Sequence, residues 1–164
     1  MKGLKIAAIV SASLLVALAL LTLYLFLMAE VQVVDVSAQG VSAGNDPAAF
    51  ETVKESIDAG TFVGTLYQKP TEWKQAGDYV YITYTITVSN GCLVPIDMLE
   101  AQIVPLSGDI LQVGDLSVHA LNPKTQGSFE VTMLAPKDTH PVREIIVTYY
   151  VWGVSFNLKT TYGE

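Results

Sequence analysis

The chain has 164 residues, 51% of them hydrophobic, and sixteen Asp plus Glu against nine Lys plus Arg give it a net charge of −7. Every acid lies beyond Met28, where seven basic residues face sixteen acidic ones for a net of −9, a balance that disfavours nucleic acid and anionic lipid as partners. Cys92 is the single cysteine, which excludes an intrachain disulfide and leaves stability to packing.

From Ile6 to Met28 the sequence is uncharged and strongly apolar, with Lys2 and Lys5 before it and Glu30 and Asp35 after it. As a helix this run is about 35 Å long, enough to cross a ~30 Å hydrocarbon layer. It exceeds the roughly 7 to 15 apolar residues of a cleavable signal peptide, and its end at Leu27, Met28 and Ala29 is a poor cleavage pattern. Residues 1–29 are therefore predicted to be a retained transmembrane anchor that meets the bilayer through residues 6–28. Lysines on the first flank alone place the N-terminus in the cytoplasm and residues 30–164 outside it. That remainder is one domain's worth of chain.

Val31 to Val36 reads as a short strand joined almost directly to the anchor. Asn45, Asp46 and Pro47, then Phe50, Val53 and Ile57, then Gly60, supply an N-cap, an N1 proline, an apolar stripe and a terminating glycine, which predicts a short amphipathic helix. Beyond Thr61 the period changes to two. In Tyr79–Ser89, Val80, Ile82, Tyr84, Ile86 and Val88 share one face, opposite Tyr79, Tyr81, Thr83, Thr85 and Thr87. The alternation returns with Leu99, Ala101 and Ile103, with Phe129, Val131 and Met133, with Ile145, Val147, Tyr149 and Val151, and with Val154, Phe156 and Leu158, each set predicted inward. Turn clusters at Asn90-Gly91, Ser107 to Asp109, Gly114-Asp115, Asn122-Pro123 and Pro136 to Pro141 separate these runs. Together they predict a mainly β, Ig-like antiparallel sandwich of about seven strands.

Catalytic chemistry finds little footing. His119 and His140 sit in no motif, no Gly-x-Ser-x-Gly occurs, and no cofactor-binding loop is recognisable. Cys92, His119 and His140 lack the local spacing of zinc ligands. Asp109 and Asp115 are turn carboxylates of the kind calcium uses, but without the Asp-x-Asp-x-Asp-Gly spacing, so no metal is expected. Cys92, with no neighbouring His or second Cys, reads as a buried or turn thiol. Aromatic residues are the remaining candidates. Trp73, Tyr79, Tyr81, Tyr150 and Trp152 would form an interaction surface if their faces were adjacent, whereas burial under the 47–59 helix would make them part of the packing.

The order Val88-Ser89-Asn90 with Pro95, Ile96 to Val104, then Gly108, Leu111 and Gly114, then Leu121, Pro123 and Phe129-Glu130-Val131, resembles the late-embryogenesis-abundant 14 type of domain. Asn90-Gly91-Cys92 stands where that family has Asn-Pro-Asn. The resemblance implies a fibronectin-III-like sandwich, often set behind one membrane span, with no catalytic residues. Two functional readings follow: a non-enzymatic, membrane-anchored binding or structural module of the cell envelope, with a protein partner in the same membrane, or a passive stress-protective domain of the type resembled.

Overall fold

The computed structural model describes residues 2–27, 30–115, 117 and 119–163. Helix α1 (Lys2–Leu27) opens the chain. Between Lys5 and Leu25 it is long and apolar enough to cross a membrane, with mean hydropathy 2.6, and none of that stretch is buried against the rest of the protein. Two of its hydroxyls stay inside the helix: Ser13 Oγ donates to the Ile9 carbonyl and Thr22 Oγ1 to that of Leu18, so neither of these presents an unpaired donor sideways.

The remainder is a β-sandwich. Its strands are β1 (Val31–Ser42), β2 (Gly64–Leu66), β3 (Tyr79–Asn90), β4 (Ile96–Ile103), β5 (Leu111–Val113), β6 (His119–Leu121), β7 (Gln126–Pro136), β8 (Arg143–Val151) and β9 (Val154–Tyr162), with helix α2 (Pro47–Asp58) after β1. One sheet has the order β1-β3-β7-β5-β2 and the other β6-β4-β8-β9, all pairs antiparallel. Among the described residues the strands thus number nine rather than about seven, because β2, β5 and β6 have three residues each, too few to display a period.

The faces follow the period-two reading. Ile82, Tyr84, Ile86 and Val88 of β3 meet Phe129, Val131 and Met133 of β7, Leu99 and Ile103 of β4, and Ile145, Val147, Tyr149 and Val151 of β8 in the main core. Two details differ. Strand β1 runs to Ser42 rather than Val36, because a bulge between Val33 and Asp35 shifts its phase: Val31 and Val33 precede it on the core face, Val36 and Ala38 follow it there, and Val34 points outward. On β9, an edge strand, Val154 is exposed rather than inward, while Phe156 and Leu158 are half-buried.

Helix α2 forms as its signals suggest. Asp46 accepts from the Ala49 N–H at 3.0 Å, Pro47 occupies the first turn, and Gly60 takes φ 70° just past the end. Phe50, Val53 and Ile57 press this helix onto the outer face of the five-stranded sheet and close a second core with Tyr79, Ile110, Leu111 and Leu134.

Register defines two ends. Val31 opposite Asn90, Ile96 opposite Leu121 and Val151 opposite Val154 mark the end where α1 joins. Ser42 opposite Val80, Tyr79 opposite Pro136 and Arg143 opposite Tyr162 mark the far end. Each end has a buried polar key. At the end where α1 joins, Asn90 donates Nδ2 to the carbonyls of Val94, Leu121 and Asn122 and accepts from the Cys92 N–H. At the far end Arg143, fully buried, donates Nε and Nη2 to both oxygens of buried Asp109 at 2.8 and 2.7 Å. Its remaining donors go to Thr139 Oγ1 and to the carbonyls of His140 and Val142, and Asp109 also accepts from the Leu106 N–H. Tyr84 closes the cluster from the core side, donating to the Pro141 carbonyl at 2.6 Å, with burial pushing its pKa up to about 12.

Removing one partner of that buried pair strands a charge, so Asp109→Asn should cost about 3–5 kcal/mol, and Arg143→Met with Asp109→Leu should recover part of it. Denaturant unfolding of the full chain in detergent measures both; an Asp109→Asn protein as stable as the parent would show that the pair contributes nothing.

Candidate interaction surfaces

The five aromatic residues singled out in the sequence do not form one surface. Trp73, Tyr79 and Tyr81 lie in the second core at the far end, where Phe50 stacks on Tyr79 (5.2 Å between centroids) and meets Trp73 edge-on (5.8 Å). Trp73 in turn meets Tyr79 at 5.9 Å. These rings hold α2 to the sheet, the packing role that the 47–59 helix could give them. Tyr150 and Trp152 lie in the other sheet at the end where α1 joins, Tyr150 half-buried opposite Asp97 and Trp152 exposed in the β8–β9 turn.

Two polar atoms in the second core, Trp73 Nε1 and Tyr81 OH, are buried without a hydrogen-bond partner among the described residues. Burial, and then the Asp46 charge, raise the Tyr81 pKa. An unsatisfied buried hydroxyl costs about 1–3 kcal/mol.

On the side of the sandwich where β4 and β6 approach β5 and β7, a cleft of about 230 Å³ is lined by Glu100, Gln112, Asp115, Ser117, His119 and Glu130 among others. Gln112 belongs to β5 yet bonds β4: its Oε1 accepts from the Ile103 N–H and its Nε2 donates to the Ala101 carbonyl. One side-chain amide so takes the place that a neighbouring strand's peptide would fill. Tyr67 OH, 2.8 Å from both Gln112 Oε1 and the Ile103 carbonyl, completes the link, its pKa pushed up to about 12 by burial.

Beside it, Asp115 pairs with His119 Nε2 at 2.6 Å and accepts from the Ser117 N–H and hydroxyl. The His119 bond, then the Ser117 bonds, hold the Asp115 carboxyl at about 2. The His119 ring lies on Phe129 of the other sheet at 5.2 Å, so this turn spans the sandwich. A Ser, a His and an Asp thus sit together, a grouping the separate turn and strand signals did not reveal. The Ser117 hydroxyl, however, donates to Asp115 and not to the imidazole, so His119 is not the group placed to take its proton.

Asp109 and Asp115, the calcium candidates, belong to separate clusters, one bound to Arg143 and the other to His119 and Ser117. Among the described residues no three His, Cys, Asp or Glu side chains group to hold a metal. His140 is exposed in the β7–β8 loop, its carbonyl accepting from Arg143. Cys92 is buried, and that burial raises its thiol pKa, the state of an unreactive thiol.

Tyr81→Phe should leave the fold unharmed and raise its stability by up to about 1 kcal/mol, because an orphaned hydroxyl is removed; a clear loss in denaturant unfolding would reveal a partner for that oxygen. The depressed Asp115 pKa makes its contribution present above the ordinary value of 3.8 and lost as pH falls through about 2. In His119→Ala the Asp115 midpoint, followed by carboxyl NMR, should rise toward 3.8, and an unmoved midpoint would assign the whole depression to Ser117. No protein-family model matches this chain, and no curated protein matches it.

Proposed function

We propose that this chain is a single-span membrane protein that carries its β-sandwich outside the cytoplasm as a non-enzymatic binding or structural module of the cell envelope. The observation that carries this reading is the division of labour within the chain. Between Lys5 and Leu25 no residue is buried, while the sandwich closes two cores of its own. An apolar helix of that length left bare in water would cost more than any single-domain stability, and a bilayer is the environment that removes the cost. Lys2 and Lys5 before the span and Glu30 after it support the orientation. A partner in the same membrane is the ligand such a module would meet at short range, and Tyr79, buried, and Tyr81, half-buried under α2, would not be its contact.

Reporter fusion to the C-terminus tests the reading. A reporter active only outside the cytoplasm should be active, the chain should resist alkaline carbonate extraction, and its N-terminal residues should be retained. A reporter active only in the cytoplasm, or a mature protein beginning near Gln39, would overturn it.

A further inference from the structure

The anchor end of the sandwich exposes large apolar side chains on adjoining loops and strand ends. Leu93 in the β3–β4 loop is 58% exposed, Met98 in a bulge of β4 49%, Trp152 in the β8–β9 turn 53%, and Val154 just after it 48%. Backbone strain gathers at the same place. Met98, Lys124 and Trp152, with φ of 51°, 58° and 50°, are the non-glycine residues of positive φ among those described, and all three lie at this end.

Trp152 is the sharpest case. With Gly153 at φ 79° it forms a two-residue hairpin turn in which both central residues are left-handed, the geometry for which Asn-Gly is the favoured pair. A bulky aromatic there costs roughly 1–2 kcal/mol. Strain of that kind persists where the side chain does something that its cheaper replacement cannot.

The chain itself says what lies opposite. Between the last helical residue of α1, Leu27, and the first of β1, Val31, stand three residues, a reach of about 14 Å when fully extended. This end is therefore held against whatever surface α1 emerges from. Acids are fewer there: Glu30, Asp35 and Asp97 lie toward the anchor end, and Glu51, Glu55 and Asp58 of α2, with Asp78 and Asp138, toward the far end, where Lys54, Lys69 and Lys137 accompany them. Lys124 sits at the anchor end, its ammonium donating to the Gly91 carbonyl.

We propose that the sandwich docks end-on upon the membrane surface, with Trp152, Leu93, Met98 and Val154 seated at the boundary between headgroups and acyl chains. This rests on the anchored reading above. Tryptophan favours that boundary, where its ring is in apolar surroundings and its N–H is wet. Insertion is apolar rather than electrostatic, which is how an acidic domain can meet a zwitterionic lipid surface.

The full chain, reconstituted in phosphatidylcholine vesicles with acyl chains brominated near the headgroup, tests this. Trp73 at the far end and Trp152 are the two tryptophans, and α1 contains none. Emission of the parent should fall by roughly half, the share of an interfacial Trp152. Trp152→Asn, which suits the turn and should fold at least as well, should be left unquenched. Flotation with the vesicles combined with unquenched parent emission would overturn the docking and leave the anchor standing. Quenching that survives in Trp152→Asn would place the far end at the membrane and overturn it as well. Failure to float would overturn the anchored reading, and the docking with it.

Discussion

A guanidinium can be taken fully out of water only if all of its donors are met, and Arg143 meets that condition at the far end of the sandwich. Its five N–H groups reach Asp109, Thr139 and the carbonyls of His140 and Val142. Asp109 precedes β5 of one sheet and Arg143 begins β8 of the other, so the pair fixes how the sheets meet as well as the loop before β5 and the loop between β7 and β8. The strict demand of a buried charge selects one arrangement of these loops, where apolar packing alone would accept several.

Asn90 applies the same logic at the opposite end with a neutral group, tying the β3–β4 corner to the β6–β7 turn. Gln112 does so on the side, serving β4 as a substitute for a strand that is missing there. Apolar layers set the sandwich, and three polar side chains, Arg143 and Asn90 buried and Gln112 half-buried, set its connections. The faces left outside these ties, the bare anchor helix and the apolar rim beside it, are those that the proposed membrane contacts would cover.

Much of this was legible in the sequence where long segments repeat a period. The core face of β3, the inward residues of β7 and β8, the α2 cap and stripe, and the apolar span all follow from spacing. Three-residue strands escaped because no period fits in them, and the extent of β1 escaped because a bulge reverses its phase at Val34. The pairing of Arg143 with Asp109, thirty-four residues apart, left no local trace. Of the aromatic candidates, Tyr79 and Tyr81 shared a strand face that reads alike whether water or a helix lies over it, and only tertiary placement of α2 decides between them. His119, Ser117 and Asp115 are close in sequence, but the turn that joins them carries no recognisable spacing.

Strand β1 follows α1 after three residues and lies antiparallel to β3 over nearly its whole length, from Val31 opposite Asn90 to Ser42 opposite Val80. Strand β9 ends at the other extremity, Tyr162 opposite Arg143. With α1 held in a bilayer as proposed, a force drawn between that bilayer and the far end would enter β1 along its axis, at right angles to the hydrogen bonds of the ladder. Loaded in that direction the ladder shares the strain among its bonds as shear, and no single terminal pair is peeled open first. The attachment of the sandwich to α1 would in this sense be a mechanical lap joint rather than a hinge.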